Sequence, residues 1–414
     1  MKKGILLIIL VFASAFVFGK EKKIYVRYGW QAFTRANLVN SSGLPASTFK
    51  TSNENNDNNM NKAIERLVDF PIEGGISAPF VGIHGDKLIV AGGCNFPNAP
   101  ASQGGKKEFY DDIFYLDILC PDKGWKKSEI PYKVAYGSSI ITEDGIICIG
   151  GQNDTGAITN VVRIHFENKT EKITVENWPS LPAGIYNAGA TVVENTIYLA
   201  GGTSSEKKTN YIYCLDMDNL SKGWYRIETN QAEERQQAVV FTQNGNLFIA
   251  GGYDEANAHV FSDVLKFDFS DNNWQHFTDI VINGKQQTFI GTGCINLSAN
   301  CTLFAGGVDY DLFSSALLRI KKKQEAIANG NTELADSLQA AGKEYMSQPI
   351  EWYNFNTNLL SFDTKKKEWK SEGNFIELAK AGAGITIKEK NIYIVCGELK
   401  PGVRTQEVYK LTLN

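Results

Sequence analysis

"DKLIVAGG", residues 86–93, is a short β-branched run closed by paired glycines, and the chain repeats it. "GIICIGG" occupies 145–151, "NTIYLAGG" 195–202, "GNLFIAGG" 245–252 and "CTLFAGG" 301–307, and "NIYIVCG" at 391–397 is a degraded sixth copy. The final glycines lie 58, 51, 50, 55 and 90 residues apart. An aromatic–Asp element and then a tryptophan follow the glycines: "FYLDILCPDKGW" to Trp125, "YIYCLDMDNLSKGW" to Trp224, "VLKFDFSDNNW" to Trp274 and "LLSFDTKKKEW" to Trp369. Trp178 holds that place in the diverged second copy. Self-similarity at a nearly constant period marks an architecture built from one repeated unit.

Short β-branched and aromatic runs bounded by turn residues read as antiparallel strands. "VVENTIYL" (192–199) and "FTQNGNLFI" (241–249) read as hairpins with Asn-centred turns, because Asn and Gly supply a positive φ at low cost. The glycine pairs let neighbouring backbones approach where a side chain would clash. A four-stranded sheet cannot bury both its faces alone, whereas six stacked radially leave only short, protected edges. These residues resemble the kelch repeat, and six copies imply an all-β fold, a six-bladed kelch-type β-propeller over residues 62–414.

The last copy ends at "EVYKLTLN", the third strand of its blade, with no tryptophan strand after it. "AIERLVDFP" (63–71) matches the outer strand that precedes other blades, as in "WKKSEIP" and "NWPSLP". The N-terminal strand is therefore expected to close the last blade and tie the ends of the chain together. Before it, 1–19 reads as a signal peptide: Lys2 and Lys3 precede an apolar run from Ile5 to Phe18, with small residues for cleavage. That run is short for a spanning helix, so the expectation is export to the periplasm or beyond, with no stable membrane insertion after cleavage. Residues 20–61 form an extension or linker, in which "NENNDNNMN" (53–61) reads as a flexible connector.

A net charge of −4 without a basic stretch excludes a phosphate-tracking surface, so nucleic acid is not an expected partner. The seven cysteines contain no CxxC pair, which leaves a zinc site unsupported; buried free thiols are expected, with a Cys294–Cys301 pairing open.

"DLFSSALLRIKKKQEAIANGNTELADSLQAAGKEYMSQ" (311–348) breaks the strand pattern. Asn329-Gly330 suits a helix end and Asn331 or Thr332 a cap, so a helical hairpin over about 311–350 is expected inside blade 5. It follows the second strand of its blade. So does "GELKPGVRT" (397–405) in blade 6, and so does the long "CNFPNAPASQGGKKEFYDD" (94–112) in blade 1. In an up-and-down blade these connections share one face, so three elaborated loops should cluster in one sector of it. Long loops on a rigid scaffold carry function.

Within "GELKPGVRT", Arg404 offers a planar, permanently charged fork suited to a carboxylate, and Glu398 can move protons. The same residues also read as a surface ion pair holding a turn. "GELKPGVRT" resembles the "NGEAKPGxRT" segment of the N-acetylneuraminate epimerase (sialic acid mutarotase) family, and the helical insert resembles theirs. The segment stands near the end of this chain rather than mid-chain, which resembles a cyclically permuted branch. Leu399 replaces a smaller residue and Cys396 a glycine- or asparagine-like one.

The resemblance implies Glu398 as acid/base and Arg404 as ligand of the substrate carboxylate. It also implies Arg235 and Gln237 of "RQQA", Tyr136 of "VAYG", Asn187 of "IYNAGA" and Lys400 as substrate-binding residues. The implied reaction interconverts the α and β anomers of N-acetylneuraminic acid, with no metal and no organic cofactor. Three rival readings remain at this point. One is a non-enzymatic kelch scaffold binding a protein or glycan, and another is mutarotation of a different acidic sugar. The third is a copper oxidase on a kelch propeller, for which the four histidines (84, 165, 259, 276) are dispersed.

Overall fold

The structure is a computed structural model that describes residues 64–206, 210–230 and 233–413, together with the backbone of 25–28 and 49–52. The chain divides into two compact units, Met1–Met60 and Asn61–Asn414. In the first, Tyr25–Tyr28 pairs antiparallel with Phe49–Ser52. The expected signal segment 1–19 and the Asn-rich tract 53–61 lie outside the described residues. Among the described residues no helix is long and apolar enough to cross a membrane.

The second unit is mostly β and contains six four-stranded antiparallel sheets. The second strand of each comes from one copy of the glycine-ended run: Lys87–Ala91 in sheet I, Gly145–Ile149 in II, Thr196–Ser204 in III, Asn246–Ala250 in IV, Cys301–Gly306 in V and Asn391–Val395 in VI. The first strands, from Phe80–His84 in sheet I to Gly384–Lys388 in VI, touch in cyclic order, and VI touches I. Sheet VI takes its fourth strand from the other end of the chain: Ile64–Arg66 pairs with Tyr409–Leu411.

The period-2 alternation of strands explains why the second strands read as continuous apolar runs. Leu88 and Val90 pack toward sheet VI against Tyr393 and Val395. Ile89 and Ala91, on the other face, pack toward sheet II against Ile146 and Cys148. Similar clusters fill the remaining spaces, from Ile147 against Leu199 round to Leu303 against Ile394. Between sheets IV and V, Phe241 stacks on Phe248 and meets Phe304 edge-on. The tryptophans fasten outer strands to the preceding connection: Trp224 Nε1 donates to Pro179 O at 2.7 Å and Trp369 Nε1 to Asp279 O at 3.1 Å.

All seven cysteines are free thiols. Cys294 and Cys301 lie on paired strands but out of register, opposite Phe304 and Ser298 respectively, so they do not bridge.

Two helices interrupt sheet V between Cys301–Gly306 and Asn358–Asp363: α1, Tyr310–Ala328, and α2, Thr332–Ser347. The side chain of Asp309 accepts the Leu312 amide and that of Asn331 the Leu334 amide, capping the two helices. Leu317 and Phe313 of α1 pack on Val260, Ile290 and Val308, which seats the hairpin on the sheets.

The glycine pairs are sterically required. Gly251 has φ +61°, and a Cβ there would lie 2.6 Å from the Phe289 amide nitrogen of the next sheet. Gly251→Ala should therefore destabilise the fold by about 2–4 kcal/mol, combining left-handed strain with a backbone clash. The check is the urea unfolding midpoint, expected to fall with an unchanged slope.

Candidate functional site

Six equivalent residues surround the mouth between the first strands: Ala78, Tyr136, Asn187, Gln237, Gly291 and Gly382. All have left-handed backbones, with φ between +53° and +68°. Five amides donate to the carbonyl of the preceding member: Tyr136 to Ala78, Asn187 to Tyr136, Gln237 to Asn187, Ala78 to Gly382 and Gly382 to Gly291, at 2.7–3.0 Å. Left-handed non-glycine residues cost on the order of 1–3 kcal/mol each and persist only where surrounding bonds impose them. Here the collar bonds impose them. All six residues line a cavity of about 450 Å³.

Glu398 enters this cavity as the residue after the degraded glycine pair of sheet VI. Cys396 replaces the first glycine yet keeps its left-handed backbone, at φ +56°. Glu398–Lys400 pairs with Val403–Arg404 across Pro401-Gly402, and Gly402 supplies φ +82°. That hairpin sets Glu398 directly opposite Arg404, which is why six residues of sequence separate them. Arg404 Nη2 lies 2.6 Å from Glu398 Oε2. The pair is not an exposed surface ion pair, since the Arg404 side chain is only 4% exposed and that of Glu398 23%.

Two further contacts hold Arg404. Its Nε donates to Ser77 Oγ at 3.1 Å, and its guanidinium lies 4.7 Å from the Phe96 ring centroid. Its Nη1 is buried and has no hydrogen-bond partner. A buried charged donor without a partner is costly, and a bound carboxylate is the group that would satisfy it. Burial raises the pKa of Glu398, outweighing the opposing pull of Arg404, Lys107 and the Gly402 amide.

The three elaborated loops meet here. Phe96, Ala101 and Lys107 come from the 94–112 loop, Phe313 from the insert, and Pro401 and Gly402 from the hairpin; all line the cavity. Lys107 Nζ donates to Tyr136 Oη at 2.8 Å, and the Cys94 thiol donates to the same oxygen at 3.3 Å. Burial, followed by Cys94, pushes the Tyr136 hydroxyl well above its ordinary pKa.

Tyr136, Asn187 and Gln237 thus join Glu398 and Arg404 around one cavity. Two other expected binding residues do not. Arg235 is 4% exposed and turned outward, with Nη1 and Nη2 on the Asp263 carboxylate at 2.8 and 2.9 Å and its guanidinium 3.9 Å from the Phe261 ring. The pull of this partly exposed carboxylate decides its direction. Lys400 Nζ donates to Gln348 O at 2.6 Å and ties the hairpin to the helical insert. Reading the sequence missed Lys107, Ser77 and Phe96. The length of the 94–112 loop pointed to the region of Phe96 and Lys107, but no local motif singles out any of the three. Among the described residues no group of three or more His, Cys, Asp and Glu side chains is arranged to hold a metal ion.

A family model described as N-acetylneuraminate epimerase matches residues 178–414. The chain is 30% identical over 241 residues to the N-acetylneuraminate epimerase of Yersinia enterocolitica, covering 57% of each chain. It is 28% identical over 253 residues to that of Haemophilus influenzae, covering 59% of this chain and 62% of the relative. The matched region thus spans about three fifths of these relatives' length. With more than half of its residues matched by the family model, the chain belongs to the N-acetylneuraminate epimerase family.

Proposed function

We propose that the protein interconverts the α and β anomers of N-acetylneuraminic acid. The observation that carries this reading is the buried Arg404 guanidinium, one nitrogen unpartnered, set 2.6 Å from the Glu398 carboxylate in a cavity large enough for a sugar acid. Arg404 anchors the substrate carboxylate through a charge-assisted bond. This holds the adjacent anomeric carbon beside Glu398.

The Glu398 carboxylate takes the proton of the anomeric hydroxyl, and the O–H electron pair forms the ketone. The bond from the anomeric carbon to the ring oxygen breaks, and that oxygen receives the proton from Glu398. Rotation about the bond to C3 presents the other carbonyl face, and the same transfers in reverse close the ring. Protons and electrons balance within substrate and Glu398. A carboxyl whose burial raises its pKa toward that of its task suits a group that alternates between both states. Tyr136, Asn187 and Gln237 are assigned to the sugar's polar groups, and Lys107 to fixing Tyr136.

The scaffold is inferred to be a six-bladed kelch-type β-propeller, supported by the cyclic contacts of the first strands and by the end-to-end pairing in sheet VI. A cyclically permuted blade order accounts for a match confined to 178–414. The 1–19 segment supports export to the periplasm through a cleaved signal peptide.

The test is proton NMR of α-N-acetylneuraminate freshly released by a sialidase. The protein should speed the approach to anomeric equilibrium. Glu398→Gln should slow it by about 10²–10⁴-fold, as for loss of a general acid–base. Arg404→Ala should act mainly on KM, by about ten- to a hundredfold. Absence of acceleration by the folded wild-type protein would remove this reading and leave a binding scaffold.

Glu398 itself should titrate above the ordinary glutamate value of about 4.3 in carbon-13 spectra, assigned by difference from Glu398→Gln. Arg404→Ala should move that titration higher, because the guanidinium opposes the rise. A raised native pKa means the folded state binds this proton more tightly than the unfolded chain. The resulting stabilisation is complete below the unfolded value and is lost as pH rises through the native one. Glu398→Gln should flatten that part of the stability–pH curve.

A further inference from the structure

A second cavity, of about 360 Å³, lies between the helices of the insert and adjoins the site. Val308, Phe313, Glu398 and Pro401 line both, so Glu398 stands in the wall between them. The walls of the second are mainly apolar: Leu312 and Leu317 from α1, Leu338 and Met346 from α2, and Tyr353 beyond them.

Gly342 marks this cavity as a kept space. It sits within α2, where glycine destabilises the helix relative to alanine. Its backbone is not left-handed, and a Cβ there would meet only Arg319 Nε, at 3.8 Å. Neither conformation nor close packing calls for glycine at this position. What its missing side chain provides is volume in the cavity it lines.

On the epimerase reading above, Glu398 must reach the ring oxygen. The carbon bonded to that oxygen on its far side carries the three-carbon glycerol-like tail of the sugar acid. With the carboxylate on Arg404 and the ring oxygen at Glu398, the tail continues past Glu398. We propose that the cavity between the insert helices receives this tail, and that its apolar walls accept an acyl group on the terminal carbon. The protein thereby favours tail-acylated sugar acids over the unmodified one. Unlike the anchoring of carboxylate and ring oxygen, this subsite is built by the insert.

The experiment compares N-acetylneuraminic acid with its 9-acetamido, 9-butanoylamido and 9-hexanoylamido 9-deoxy analogues, whose amides do not migrate. Anomerisation is followed by NMR and binding by calorimetry, for wild type, Gly342→Leu and Gly342→Ala, the last being the control for helix folding. Wild-type kcat/KM and affinity should rise about tenfold from acetamido to butanoylamido, as expected for two buried methylenes. Gly342→Leu should abolish that gain, leaving the acetamido, butanoylamido and hexanoylamido sugars alike within about twofold of one another. No dependence on chain length in wild type, or an equal gain in Gly342→Leu, overturns the subsite while the epimerase reading stands. Chain-length-dependent binding that Gly342→Leu removes, without anomerisation of any sugar, keeps the subsite and overturns the reaction. Neither binding nor anomerisation overturns both.

Discussion

The collar of left-handed residues is the constraint on which the site depends. Five of its amides donate to a carbonyl of the preceding sheet, so those neighbouring first strands are linked by main-chain bonds as well as by apolar packing. The same backbone conformation fixes where the side chains at these positions point. Three positions carry polar side chains, Tyr136, Asn187 and Gln237. Gly291, Gly382 and Ala78 leave room opposite them. A frame bonded in this way tolerates strain at individual residues, and that strain positions polar groups around a cavity.

The charged pair illustrates what burial changes. At a solvated surface, Glu398 and Arg404 would contribute little. Enclosed by Phe96, Ser77 and Tyr136, the carboxyl is desolvated and one guanidinium nitrogen has no partner. The site holds a polar group poised for a ligand rather than one satisfied within the protein. Lys380 likewise has a buried Nζ without a hydrogen-bond partner, but in a different setting. It is 2% exposed and its nearest acid, Glu407, is 3.6 Å away, with Tyr409's ring 4.8 Å from its Nζ. It stands outside the lining of the candidate site.

The helical insert is integrated rather than decorative. Phe313 meets the Tyr253 ring edge-on at 5.2 Å, Lys321 Nζ donates to Asn257 O at 3.3 Å, and Lys400 binds Gln348 O. These contacts join it to sheet IV on one side and to the Glu398 hairpin on the other. A wall of the site is thereby supplied by helices that the β repeat does not encode.

Much of this was legible in the amino-acid order because it rests on local stereochemistry. Paired glycines report left-handed turns and close backbone approach, apolar runs report strands buried on both faces, and Pro401-Gly402 reports the turn that sets Glu398 opposite Arg404. The unfinished last repeat implied that a strand from the other end would complete it, since a sheet edge needs a backbone partner. Other features depend on groups distant in the chain. Arg235 and Gln237 are two residues apart in one motif, yet Asp263 draws the first away while the second lines the cavity. Lys107 reaches Tyr136 only because a long loop folds back over the collar. Local order determines backbone conformation and which faces are apolar. Which charges meet, and which are left unpaired, is decided by distances that only the assembled sheets create.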